Sequence, residues 1–217
     1  MALRSSRRIS LIAALTLLVP TMLIAGKSFV KPVAKTAFNY PAHDLHRDEK
    51  VSIAADPYDN PEKAKIFTIN FADHGFLPIF FIVTNDGDQP VSIAKLRIKL
   101  ITGNRSKLTP IDSDDLYRRL SNPQAKTSSN IPLPFPRKVK GGVTRQQMDE
   151  IESSQFAARA VEPHSTQSGF VFFDVSDINS PLRNATIDIS GLADAKGNEL
   201  LFFEIAMDSY LNAPKNP

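Results

Sequence analysis

Residues 76–84 read FLPIFFIVT, apolar at both odd and even positions. A strand covered on both faces reads this way, so the run predicts a central strand with Pro78 near its start or at a bulge. Upstream, residues 51–55 form a shorter strand candidate. The stretch DPYDNP at 56–61 ends it, because two prolines so close forbid a continuing ladder. Residues 62–67 suit a helical turn. Phe67, Ile69 and Phe71 then alternate with Thr68 and Asn70, the two-residue period of a strand.

Asn85-Asp86-Gly87-Asp88 follows the central run and predicts a hairpin turn, since Gly accepts positive φ and Asn or Asp tolerates it. The next run, residues 90–101, changes phase. Val91 and Ile93 share one face, while Leu96, Ile98 and Leu100 have the other parity. A β-bulge near Ala94-Lys95 would keep all five on the core side. Residues 112–120 (DSDDLYRRL) predict a short helix capped by Asp112, with acids in its first turn, Arg118 and Arg119 in its last, and a Leu116/Leu120 stripe. A second helix is predicted over 144–159. Thr144 and Gln147 make its capping box, Val143 and Met148 its hydrophobic staple, and Met148, Ile151 and Ala158 a thin stripe suited to the domain surface. Residues 168–175 (SGFVFFDV) read as a buried strand and 185–190 as a strand with one wet face. After a turn at 195–198, residues 199–208 place Leu201, Phe203, Ile205 and Met207 on one face.

These elements predict a mainly β chain, an immunoglobulin-like antiparallel β-sandwich of about seven strands with two short helical insertions, preceded by an N-terminal signal or anchor helix. The expected division is residues 1–25 as signal peptide or signal anchor, 26–41 as linker, 42–212 as the sandwich domain and 213–217 as a tail. With no Cys and no Trp, the chain lacks the core mark of true immunoglobulin domains. The runs AADPYD, GFLPIFFIVTNDGDQPV, GFVFFDV and LLFFEIAMDSY resemble a family of exported bacterial proteins of unknown role with Ig-like domains. The resemblance spans roughly residues 40–211; it implies that fold and an exported location, and carries no catalytic motif.

The N-terminus supports export. Arg4, Arg7 and Arg8 precede ISLIAALTLLVPTMLIA, an uncharged apolar run at residues 9–25. Leu23 would stand third-last before a cut after Ala25, which makes a poor cleavage site. Either the segment is removed, or it stays as an anchor with residue 26 onward outside the cytoplasm. Both readings place the domain in the periplasm or on the extracytoplasmic membrane face. Ser6-Arg7-Arg8 partly resembles a twin-arginine signal, but Ser10 stands where an aromatic is usual, so two ordinary cations are the simpler reading. Residues 26–41 hold three Lys and no acid, the composition of an extended linker beside an anionic membrane surface. Removing the three N-terminal arginines from 26 basic residues leaves 23, equal to the 23 acidic ones, so charge gives no argument for a nucleic-acid partner. The absence of cysteine excludes disulfides, thiolate metal sites and a catalytic thiol.

Candidate chemistry is sparse. No G-x-S-x-G, Gly-rich phosphate loop or H-E-x-x-H occurs. No cofactor and no enzymatic activity are expected. His43, Asp44 and His46 in AHDLHRDEK suggest a metal site. In an extended chain Asp44 and His46 share a face while His43 points away, so further ligands would have to come from His74 or His164. The competing reading is a polar approach to the first strand. The loop IPLPFPRKVKGG offers Phe135, Arg137, Lys138 and Lys140 as a partner-docking segment, against the alternative of a solvated loop. Taken together, the sequence predicts a non-enzymatic envelope module that binds another envelope protein, tied to the membrane if the first segment is uncleaved. The alternative is a periplasmic metal-binding protein using His43, Asp44 and His46.

Overall fold

A computed structural model describes residues 29–122 and 142–214. The chain is mainly β, with ten strands among the described residues, all paired antiparallel, and few helices. The first sheet runs β1 (His43–His46), β2 (Val51–Pro57), β3 (Phe76–Asn85), β8 (Ser165–Asp174). The second runs β10 (Phe203–Ala206), β9 (Thr186–Ser190), β5 (Arg97–Ile101), β6 (Lys107–Leu108). A two-residue ribbon pairs β4 (Val91–Ser92) with β7 (Ala160–Val161).

The two-sided apolar run becomes β3, and all ten of its residues are buried. It is paired along its length, Phe76↔Asp174 to Asn85↔Ser165 with β8 and Ile79↔Pro57 to Asn85↔Val51 with β2. Pro78 lies beyond the end of β2, where no ladder partner on that side needs its missing N–H, and its carbonyl accepts from Tyr58 N at 2.9 Å. On one face Ile53, Ile79, Phe81 and Val83 share a core with Leu100, Ile187, Ile189, Phe203 and Ile205 of the second sheet. On the other, Phe80, Ile82, Phe170 and Phe172 pack under Phe67, Phe71, Leu116, Leu120 and Ile151. Three layers result, with the first sheet in the middle, which is why its central strand carries no polar face.

The helices of the third layer form as predicted at their N-termini. α2 (Ser113–Ser121) has Asp112 accepting from Asp115 N at 2.8 Å, with Leu116 and Leu120 buried. α3 (Arg145–Ser154) carries the Thr144/Gln147 capping box. It ends at Ser154, short of the predicted 159, because residue 155 leaves the helix to bridge Phe170 of β8. Gly169 permits that approach: a Cβ there would meet Gln155 O and Phe156 Cα at 2.5 Å. Met148 is exposed while Ile151 is fully buried, so α3 holds down the layer through one residue of the expected stripe. Two further helical turns, α1 (Pro61–Ala64) and α4 (Asp208–Leu211), flank β2 and β10.

Several expectations are corrected. Phe67, Ile69 and Phe71 are buried as their alternation implied, but they form no strand; residues 71–74 are a 3-10 turn. Thr68 N–H donates instead to the Glu150 carboxylate, at 3.0 Å to Oε1 and 3.1 Å to Oε2, so a side chain replaces the ladder. The Asp-Gly turn exists, but β3 and β4 do not pair. The Asn85 side chain accepts from Gly87 N at 2.9 Å and donates to Gln89 O at 2.8 Å and Val161 O at 3.0 Å, which steers the chain to β7. The phase change in 90–101 is a turn, with Leu96 N to Ile93 O at 3.1 Å, and not a bulge: β4 serves the small ribbon and β5 the second sheet. The last strand begins at Phe203, and Leu201 is 69% exposed. The approach to strand one is itself an edge strand, β1. Residues 29–41 are packed and not an extended linker: Phe29 stacks on Phe67 at 5.4 Å, and buried Ala37 donates its N–H to Thr84 Oγ1 at 2.9 Å. Residues 1–28, with the predicted signal or anchor helix, lie outside the described residues. No helix among the described residues is long and apolar enough to cross a membrane.

Candidate functional site

Two packed sheets leave two sides where edge strands come near each other. β1 lies at one edge of the first sheet, β10 at the neighbouring edge of the second. The metal-site candidates lie here. Asp44 Oδ2 accepts from Glu204 N at 2.9 Å, and Glu49 Oε1 accepts from Leu201 N at 3.0 Å. His46 donates through Nδ1 to Glu49 Oε2 at 2.8 Å, its Nε2 sits 3.4 Å from Asp44 Oδ2, and its ring stacks on the buried Phe203 ring at 3.8 Å. These side chains therefore hold the two edges together: the carboxylates occupy backbone donors that a further strand would use. His43 points away and meets Tyr40 O at 2.6 Å. His164 pairs with Asp88 at 3.1 Å, and His74 stands in the 3-10 turn after Phe71. Among the described residues no group of three or more His, Asp or Glu is placed to hold a metal ion. Of the docking candidates, Phe135, Arg137, Lys138 and Lys140 lie outside the described residues.

The opposite side is open. β6 pairs only with Leu100 and Ile101 of β5, so among the described residues Arg97, Ile98 and Lys99 have no strand beside them there. Facing that edge across the sandwich is β8, whose own outer edge is taken: Phe170 O accepts from Phe156 N at 3.0 Å and Phe172 O from Ile111 N at 2.8 Å. Between them runs an apolar groove of about 420 Å³. Its floor and walls are Ile93, Leu96, Ile98, Phe156, Ala158 and Val171. Arg97 and Lys99 are exposed at the rim, the former 3.4 Å from Glu199. A free strand edge beside an apolar groove is a geometry that can receive an extended peptide: backbone donors and acceptors give affinity, and the groove selects side chains. The phase break at Ala94-Lys95 marks only where the chain leaves one strand partner and takes up another; it does not show that the edge of β5 stays free.

A third cluster joins the stretches ADPYD (55–59) and AMDSY (206–210). Lys63 Nζ pairs with Asp56, donates to Pro57 O at 2.8 Å, and lies 5.0 Å and 4.9 Å from the Tyr58 and Tyr210 ring centroids. Tyr210 Oη donates to Asp59 at 2.5 Å and to Pro57 O at 3.2 Å. Burial pushes both phenols above their ordinary value, helped by Asp56 at Tyr58 and by Asp59 at Tyr210; burial also raises the Asp56 carboxyl against the attraction of Lys63. Phenols held in this way keep their protons at neutral pH and make poor bases. The cluster fastens the C-terminal turn to the end of β2, and every polar group named in it has a partner.

A scan against protein-family models and searches of curated proteins and of solved structures each returned no match to this chain.

Proposed function

We propose that this chain is an exported, non-enzymatic envelope protein whose Ig-like sandwich binds another envelope protein by adding an extended segment of it to the free edge of β5. The carrying observation is that edge, Arg97 to Lys99, beside the groove of Ile93, Ile98, Phe156 and Val171. The rim cations favour a segment with carboxylates flanking its apolar residues. Export rests on the arginines and the apolar run at 9–25. The Ig-like assignment and the resemblance to exported bacterial proteins rest on the strand pattern, the shared core of the two antiparallel sheets and the motif stretches named above.

A photo-crosslinking residue placed at Lys99 in intact cells tests this, with Glu204 on the sealed side as control. The expected result is an adduct from Lys99 alone, mapping to an extended segment of one envelope protein, and its loss in Ala158→Trp, which fills the groove. Equal adducts from both positions, or only links within the same chain, overturn the assignment. An unchanged melting temperature in Ala158→Trp separates blocked binding from unfolding.

A further inference from the structure

Residues 29–36 lie against the core of the third layer, and from Lys31 to Thr36 exposed and half-buried residues alternate. Phe29, Ala34 and Tyr40 pack against the phenylalanine core beneath them. Lys31, Val33 and Lys35 face out, and Val33 is 94% exposed. Val30 (73%) and Phe38 (50%), at either end of this stretch, are exposed as well. Lys31 donates to Ser168 O at 3.4 Å, and among the described residues no carboxylate lies within ion-pair reach of Lys31 or Lys35. Exposed apolar side chains set between unpaired cations match the interfacial layer of an anionic bilayer, where the chain entering lipid is flanked by lysine and apolar residues.

The position of the face in the chain identifies its occupant. The apolar run ends at Ala25, and Phe29, four steps later, is already fixed in the core. Four residues span at most about 14 Å. A run held in a bilayer would therefore keep this face within that distance of the headgroups, with no slack for the domain to turn away. We infer that the face formed by Val30, Lys31, Val33, Lys35 and Phe38 lies on an anionic lipid surface and fixes the orientation of the domain, so that the β5 groove is presented at a constant attitude to the membrane. The inference rests on the reading of residues 9–25 as a retained anchor.

Tryptophan is absent from the chain, so Val33→Trp gives a single tryptophan that can be excited selectively at wavelengths where tyrosine does not absorb. The full-length variant would be reconstituted into phosphatidylcholine–phosphatidylglycerol vesicles, with Leu201→Trp, exposed just before β10, as control. The expected result is that both variants float with the vesicles. Val33→Trp alone shows blue-shifted emission and quenching by bromine-labelled acyl chains. Adding Lys31→Glu and Lys35→Glu reduces that quenching at least twofold while flotation persists, since each lysine contributes only part of the attraction. A protein that floats with Val33→Trp unquenched and water-like in emission overturns the lipid-facing surface and leaves the anchor reading standing. A protein that does not float overturns both.

Discussion

The two sides of the sandwich meet the same problem in opposite ways. At β1 and β10, two carboxylates reach across and take backbone donors, and an imidazole covers Phe203. At β5 and β8, the edge of β8 is covered by Ile111 and Phe156, but the edge of β5 between Arg97 and Lys99 is left beside an apolar groove. Unpaired edges invite unwanted pairing, and proteins blunt them with charges and covering loops. The chain seals one side with Asp44 and Glu49 and leaves the other open, and the proposed binding would use the open side. Asp44 and His46 thus read as structural groups, although they are the residues whose chemistry stands out most in the sequence.

The contrast can be broken by substitution. The largest effect is expected from Phe203→Ala, which empties the fully buried floor beneath His46 and should lower stability by about 3–5 kcal/mol. Val171→Ala, on the partly exposed groove wall, should lower it by about 1 kcal/mol or less. Denaturant midpoints compare the two directly, and equal losses would mean that the open side is as much a core as the sealed one. Next in size, Asp44→Ala with Glu49→Ala removes the carboxylate bond to Glu204 N of β10 and the one to Leu201 N just before it. A loss of about 2 kcal/mol is expected, with new concentration-dependent self-association in sedimentation as the β10 edge becomes free. A double variant that stays monomeric and stable would remove the sealing role.

The smallest effect is electrostatic and lies at the end of β8. Burial opposes ionisation of Asp174, but hydrogen bonds from Arg119 and Ser176 outweigh it and hold the carboxyl at about 2, below its ordinary 3.8. The folded value is depressed, so the stabilisation is complete above about pH 4 and is lost as pH falls toward 2. The stability gap between the native protein and Asp174→Asn should therefore close across that window in urea titrations. An acid response that persists unchanged in Asp174→Asn would remove this carboxyl as its source.

Much of the β architecture was legible in local pattern. The two-sided run at 76–84 announced a central strand because alternation fails only where both faces are covered. Asp112 and Thr144 announced helix starts because capping needs only the residue and its third neighbour. The misreadings share one cause. Phe67, Ile69 and Phe71 alternate like a strand, yet their backbone meets Glu150, 82 residues away from Thr68. The hairpin at Asp86-Gly87 was diverted by the Asn85 amide bonding to Val161 O, 76 residues on. The groove was hidden for the same reason: a free edge is the absence of a partner, and no window of sequence displays which strand lacks one.

The amino-acid sequence by itself determined the strand-rich class, the two capped helices, the all-apolar middle strand and the charged N-terminal segment, because each depends on neighbours within a few residues. Only the tertiary structure decided that His43, Asp44 and His46 divide between a backbone contact and an edge seal, that residues 29–41 dock on the core through Phe29, Ala34, Ala37 and Tyr40, and that β5 keeps an open edge. Those outcomes depend on pairings between residues far apart in the chain, where burial, strand register and single side-chain hydrogen bonds choose among arrangements that local propensity leaves equal.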